Sequence, residues 1–217
     1  MSFSKPPVRS KSVRHNTISD VSRYVKIDIT GDITDETAKN VCHALEVAKA
    51  VKQPIVVVRI HSTGGSVPAG KLIQNHLAEY KKMHNGNTVV TYVSVQAFSM
   101  AAIIFLCGDR RVMASSAKLM LHRVSVQEAS GGSKDVHMIQ SINDYRVDLN
   151  TELFKFIVET SKSALTLETL EERTPGIDWY INSAEAIKYN LATEVSDTQP
   201  RLLATVACDV RTYNNSH

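Results

Sequence analysis

Cysteines, phosphate-binding glycine loops and long apolar runs are scarce or missing in this sequence, and each shortage excludes a class of protein. Three cysteines at wide, irregular spacing provide neither a disulfide framework nor a metal site, and they favour a reducing compartment. The longest nearly apolar run covers residues 97–107, far short of the roughly 20 residues that cross a bilayer, so we expect no membrane partner. A GxxxxGK[ST] loop is absent, and nothing else in the sequence indicates a cofactor.

Charge is close to balanced over the whole chain. The formal net charge is +3, which is too small to indicate a nucleic-acid partner. The first fifteen residues contain no acid and several basic side chains: Lys5, Arg9, Lys11, Arg14 and His15. We expect residues 1–20 to form a flexible basic arm. Because no apolar segment follows this arm, we expect no signal peptide and a soluble, cytoplasmic protein.

The hydrophobic pattern predicts alternating strands and helices. Apolar, β-branched runs predict strands at 24–29, 55–60, 88–93, 111–114 and 118–124. Apolar residues at three- and four-residue steps predict helices at 34–51, 99–107, 134–160, 166–173 and 183–190, and a further helix with Leu72, Ile73, Leu77 and Tyr80 on one face. Turns are expected at Gly31, at 62–66 and at Gly131–Gly132–Ser133, and Asn190 is expected to end its helix in a left-handed conformation. This order indicates an α/β fold with βαβ units and a mostly parallel sheet, in one domain over 21–198 followed by a tail at 199–217.

Two segments that follow predicted strands carry candidate chemistry. In S-T-G-G-S, residues 62–66, adjacent glycines leave backbone N–H groups open to a ligand, although a plain turn explains the same residues. In V-Q-A-F-S-M, residues 95–100, Ser99 stands where a turn becomes an apolar helix. There the Met100 N–H beside it suits an oxyanion hole. A helix N-cap is the alternative role for Ser99.

His122 ends the predicted strand at K-L-M-L-H, 23 residues after Ser99. Serine is a poor nucleophile alone and needs a base near neutrality, and histidine is the commonest such base. The sequence therefore indicates a Ser99–His122 pair, with a structural or exposed histidine as the alternative.

The order of these segments resembles the proteolytic subunit of the Clp protease (ClpP). A glycine pair followed by S-V-P-A-G, then Q-A-F-S-M-A-A, L-M-L-H, a long helix and S-A-E-A-I-K-Y-N-L-A, extends the resemblance from about Tyr24 to Val195. It implies a crotonase-like α/β fold and a serine endopeptidase that encloses a chamber within two stacked heptameric rings. It also implies a handle helix that joins the rings and an ATP-dependent Clp-type unfoldase as partner.

By position, the resemblance implies Ser99 as nucleophile, His122 as base, and the Gly65 and Met100 N–H groups as oxyanion donors. An extended substrate would pair its backbone with the edges near 64–67 and 123–125. The candidate substrate-binding residues are therefore Gly64, Ser66, Val67 and Arg123.

The sequence departs from the family pattern at the third catalytic residue. The positions that match the family's acid best are Arg173 or Thr174, and neither can serve. Asp178 is the preferred acid and Glu172 the alternative, while a solvated acidic loop explains both equally well. Bulky Phe98 and Val95 stand where the family has small residues, and we expect both to narrow the space around the nucleophile. These departures indicate a divergent member, such as a phage, plasmid or degenerate paralogue protein.

Three other functions remain open at this stage. A structural ring subunit would have lost activity with its acid. An acyl-CoA-binding relative on the same fold would need oxyanion donors but no Ser–His pair. A Ser–Lys dyad would use Lys134 as its base. The presence of both Ser99 and His122 favours the peptidase.

Overall fold

A computed structural model of the chain describes residues 24–84, 86–124 and 136–198. The predicted arm at 1–20, Ser125, the glycine turn at 131–133, Lys134 and the tail at 199–217 lie outside these residues. The strands are β1 Val25–Ile33, β2 Ile55–Gly65, β3 Thr88–Phe98, β4 Arg110–Met113, β5 Lys118–Leu121, β6 Trp179–Asn182 and β7 Glu194–Val195. The helices are α1 Asp35–Ala50, α2 Val67–Met83, α3 Met100–Leu106, α4 Val136–Thr160, α5 Leu167–Arg173 and α6 Ser183–Lys188.

The strands form one mixed sheet, which confirms the predicted α/β class. Its parallel part has the order β1-β2-β3-β4-β7. β5 pairs in parallel with the end of β3 and antiparallel with β6. The central strands β2 and β3 are rich in β-branched residues, and they bury side chains on both faces, as is usual for parallel strands. Val56 and Val58 lie in the main core, whereas Val57 and Val90 lie in a smaller apolar cluster on the opposite face. Because β5 pairs with the end of β3, the residues that follow these two strands lie at one edge of the sheet.

Three strands are longer than the sequence predicted. β1 continues through Gly31, β2 continues through the glycine pair that was predicted as a turn, and β3 continues to Phe98, where a loop was predicted. The pairing register shifts between Thr30 and Asp32, and again between Ile60 and Ser62. Such irregularities interrupt the alternation of side chains while the backbone stays paired, so the apolar pattern stops before the strand does.

The helices cover the core side of the sheet. All seven residues of α3 are buried, which fits its uniformly apolar sequence. α1 begins at a Thr34 capping box. On α2, Ile73, Leu77 and Tyr80 are buried as predicted, whereas Leu72 is 44% exposed because it lies beside that stripe. Asn190 has φ +52°, so the predicted left-handed residue after α6 is confirmed.

The long helix α4 is buried only in its second half. Leu149, Leu153, Phe154 and Ile157 contribute to the core. Four large apolar side chains in the first half are exposed, namely Met138, Ile139, Tyr145 and Val147. None of the helices within the described ranges is long and apolar enough to cross a membrane.

Candidate active site

Ser99 occupies a strained turn between β3 and α3. Its φ is +53° and its ψ is −125°, a conformation that a residue with a side chain rarely adopts. The backbone holds it there: its N–H donates to the Met120 carbonyl at 2.8 Å, and its carbonyl accepts from the Ala102 N–H at 2.9 Å. The side chain makes no helix-capping bond. Strain of this kind at an α/β strand-to-helix turn is typical of a nucleophile elbow, and the N-cap explanation for the Ser99 hydroxyl is wrong.

Gly64 gives Ser99 the room for this turn. A Cβ on Gly64 would lie 2.7 Å from the Ser99 Cβ and 2.7 Å from the Phe98 carbonyl oxygen. The φ of Gly64 is +101°, which also favours glycine. Gly64 is therefore required because its backbone approaches the Ser99 turn closely. The sequence had indicated it as a substrate-binding residue.

His122 lies directly beside the nucleophile. Its Nε2 is 2.6 Å from the Ser99 Oγ, within hydrogen-bond distance. His122 follows β5, whose pairing with the end of β3 fixes Ser99 and His122 on the same edge of the sheet. The two residues that the sequence paired are brought together.

The register between β5 and β6 determines which acid meets His122. Leu121 pairs with Trp179 in the antiparallel ladder, so the same register continued by one residue sets Asp178 opposite His122. Side chains of directly opposed residues lie on the same face of an antiparallel pair. Accordingly, the Asp178 Oδ1 lies 3.7 Å from the His122 Nδ1.

The other positions considered for the acid lie elsewhere. Glu172 is exposed on α5, and no contact of it with His122 is found in the described part of the chain. Thr174 is fully buried, with its hydroxyl donating to the Leu170 carbonyl at 2.6 Å. The Arg173 guanidinium stacks over the Trp179 ring at 5.6 Å. A match of the family's acid with Arg173 or Thr174 therefore has no support in the geometry.

Two contacts hold the chain that follows His122. The Arg123 Nε donates to the Thr174 carbonyl at 2.9 Å, where a cation also stabilises the C-terminal end of α5. The Val124 N–H donates to the Asn150 Oδ1 of α4 at 2.7 Å. Arg123 thus ties the base to the start of the loop that carries Asp178, in addition to lining the cavity beside it.

Two backbone N–H groups near Ser99 suit an oxyanion hole. Met100 is the first residue of α3, where N–H groups have no intrahelical acceptor. Gly65 pairs with Ile33 in the β1–β2 ladder, but the Ile33 carbonyl accepts from the Ser66 N–H at 2.8 Å. The residue after Gly65, and not Gly65 itself, therefore donates to β1. The Gly65 N–H is left on the side away from β1. Gly65, Met100, Ser99 and His122 line one small cavity.

Most of the side chains that line this cavity are apolar, and Asn150 adds a polar group to those of Ser99 and His122. The cavity measures about 90 Å³, and its apolar lining is Val67, Met100, Ile103, Leu121, Val124, Leu153, Phe154 and Ile157. Ser66 caps α2 instead, its Oγ accepting from the Ala69 N–H at 3.3 Å. The expectation that Phe98 and Val95 narrow the site is wrong: the Phe98 ring packs on Tyr180, Val95 is exposed, and neither lines the cavity.

A larger cavity of about 710 Å³ opens on the Asp178 side of His122. Its walls come from α4, α5 and the loop before β6, and include Arg123, Arg146 and Glu171. His122, Val124, Asn150 and Phe154 line both cavities. The two spaces therefore adjoin at the histidine.

Other reactive groups in the described ranges give no second site. Burial raises the pKa of the Cys107 thiol to about 12, and its Sγ donates to the Ile103 carbonyl at 3.4 Å, as befits a core residue. No group of three or more His, Cys, Asp or Glu in these ranges could hold a metal ion.

Sequence reasoning missed Asn150 and Tyr180, and it named Thr174 only as a position that cannot serve as the acid. These residues surround the site from α4, β6 and the end of α5. Asn150 and Thr174 act through backbone contacts that leave no motif. A signal for Tyr180 was present in the sequence, since three residues of W-Y-I-N at 179–182 are aromatic or β-branched and therefore favour a strand.

Comparison with known proteins identifies the family. The family model described as Clp protease matches residues 9–199. The "ATP-dependent Clp protease proteolytic subunit 2" of Leifsonia xyli subsp. xyli is 30% identical over 155 residues, which cover 70% of this chain but only 64% of that relative. The protein of the same name from Borreliella burgdorferi is 28% identical over 181 residues, or 81% of this chain and 84% of the relative. The chain belongs to the Clp protease family.

Proposed function

We propose that the chain is a serine endopeptidase of the ClpP type. The observation that carries the proposal is the 2.6 Å distance between the Ser99 Oγ and the His122 Nε2. At this distance the imidazole takes the hydroxyl proton as Oγ bonds to the scissile carbonyl carbon, and then gives that proton to the departing amine. A water activated by the same histidine then hydrolyses the acyl-enzyme and frees Ser99.

The remaining groups stabilise charge as it moves. Gly65 and Met100 would donate their N–H groups to the tetrahedral oxyanion, an effect worth roughly 3 kcal/mol per donor in serine proteases. Asp178 would orient the His122 ring and stabilise the imidazolium. Glu172 is exposed on α5 and is the weaker candidate for that role.

The cavities indicate the substrate class. The apolar space beside Ser99 would take an apolar side chain on the acyl side of the cleaved bond, and its volume of about 90 Å³ favours one of moderate size. The larger cavity beyond His122 would take the leaving part of the peptide, because the histidine must reach the departing nitrogen. Val67 lines the smaller cavity and Arg123 the larger one, so both would contact the substrate.

We also infer a ring assembly fed by a Clp-type ATPase. The four exposed apolar side chains on the first half of α4 support assembly, because large apolar side chains left exposed on one element are a common feature of interaction surfaces. Both relatives are named ATP-dependent, whereas this chain has no phosphate-binding loop of its own, so the ATPase would be a separate partner. Heptameric rings, a double ring and a cytoplasmic location remain predictions.

A catalytically impaired ring subunit is the second candidate. Two observations favour it: the His122 Nδ1 and the Asp178 Oδ1 are 3.7 Å apart, longer than a hydrogen bond, and the Asp178 side chain is 46% exposed.

Reaction with a fluorophosphonate probe, mapped by mass spectrometry, tests the proposal and separates the candidates. We expect labelling at Ser99, and none in an assembled His122→Ala variant. Ser161→Ala is the matched control and should keep the labelling at Ser99. Ser161 is a buried serine, and its hydroxyl donates to the Val158 carbonyl rather than to His122. Absence of labelling in folded, assembled wild-type protein would contradict the peptidase and support the impaired subunit.

A further inference from the structure

Tyr180 lies on β6 two residues after Asp178. Side chains alternate along a strand, so Tyr180 and Asp178 face the same side. The Tyr180 hydroxyl lies 3.5 Å from the Asp178 Oδ2, while the Asp178 Oδ1 faces the His122 Nδ1. The phenol oxygen thus lies at the outer limit of hydrogen-bond distance from one carboxylate oxygen, and the imidazole faces the other.

The Tyr180 ring is held from the nucleophile's strand. Met120 on β5 pairs with Phe98 on one side and with Tyr180 on the other, so the three residues form one row across three strands. The Phe98 and Tyr180 rings meet edge to face, with centroids 5.5 Å apart and planes at 86°. This is a favoured geometry for an aromatic pair. The contact links the residue before Ser99 to the residue that reaches Asp178.

We propose that Tyr180 is a positioning residue for Asp178, with Phe98 fixing its ring. The inference rests on the proposed serine peptidase function. The Asp178 side chain is 46% exposed and follows a loop, so the carboxylate is free to turn toward water unless a second donor holds it. A hydroxyl that donates to Oδ2 favours the rotamer in which Oδ1 points at His122. In this role the bulky Phe98 side chain fixes the Tyr180 ring and does not contact the substrate.

Tyr180→Phe isolates the hydroxyl, because the ring and its contact with Phe98 remain. With a fluorogenic peptide and matched assembly state, we expect kcat to fall roughly fivefold with KM unchanged, the loss that one hydrogen bond gives when it acts only on turnover. The control is Tyr189→Phe. Tyr189 also packs edge-on, against Trp179, but no hydrogen bond of its hydroxyl is found in the described part of the chain. It should leave both constants unchanged.

A double-mutant cycle shows whether Tyr180 acts through Asp178. In an Asp178→Asn background, Tyr180→Phe should cause no further loss of kcat, since the group it positions has already lost its role. A second fivefold loss in that background, or an unchanged kcat in Tyr180→Phe alone, would overturn the inference. If Ser99 of the wild type is still labelled, either result leaves the proposed peptidase function intact. Absent Ser99 labelling in the wild type would overturn the proposed function and this inference together.

Discussion

Gly64→Ala should displace the nucleophile without removing any group that reacts. The new Cβ would lie 2.7 Å from both the Ser99 Cβ and the Phe98 carbonyl oxygen, and 3.2 Å from the Met100 N. Carbon atoms normally approach no closer than about 3.5 Å, so one of the two backbones must move by about 1 Å. The φ of +101° adds strain of roughly 1–3 kcal/mol, which lowers the free energy of unfolding as well.

A displacement of about 1 Å at a reacting group typically costs about 100-fold in rate, and we expect a loss of that size in kcat/KM. The assay is hydrolysis of a fluorogenic peptide, with assembly checked by light scattering. Gly86→Ala is the matched control: Gly86 has a similar φ of +109°, but no atom lies within 4 Å of a Cβ there. It should lose some stability and keep its activity. If Gly64→Ala retains wild-type kcat/KM, or if both variants lose it equally, the contact with Gly64 does not determine the position of Ser99.

Three further expectations follow from the same structure. Asp178→Asn should lower kcat by about 10⁴, the cost of removing the acid of another triad, whereas Glu172→Gln should change it less than a few-fold; similar rates in both variants would refute the triad. Burial raises the pKa of Cys107 to about 12 from its ordinary 9.0, so this thiol's contribution to the free energy of unfolding is complete below about pH 9 and is lost as the pH rises toward 12. Urea unfolding between pH 7 and 11 should therefore show a steeper alkaline decline in wild type than in Cys107→Ala, and identical slopes would contradict the assignment. Mass photometry should show particles many times 24.0 kDa, and a stable monomer at micromolar concentration would argue against the ring.

The sequence predicts the α/β order well because the central strands and α3 are strongly apolar. It predicts strand ends poorly, since β1 and β2 keep pairing through glycines and register shifts that erase the alternation of side chains. The pairing of Ser99 with His122 was within reach, because each follows a strand and parallel strands end at one edge. The positive φ of Ser99 could not be predicted, since positive φ is usually signalled by a glycine and this position has a serine.

The acid was the hardest residue to predict. Whether Asp178 or Glu172 approaches His122 depends on how β5 and β6 pair, across about 60 residues of sequence, and a shift of one residue would turn Asp178 to the other face. β6 has only four residues and was not predicted as a strand at all. Reading W-Y-I-N as a strand would have put Asp178 at its entrance, next to the base.

The antiparallel pairing of β6 with β5 also determines where this chain tolerates insertion. Asp178 is positioned from its C-terminal side, by the ladder, while Thr174 is anchored separately by Arg123 and by its own burial. Residues 175–177 bridge these two fixed points, are exposed, and border the larger cavity. Lengthening a loop costs little, about 0.6 kcal/mol for each doubling, so a flexible peptide inserted there should leave the carboxylate in place. A single residue inserted within 179–182 would not be tolerated. The segment 175–177 is therefore a suitable point for grafting a tag or a recognition peptide next to the active site.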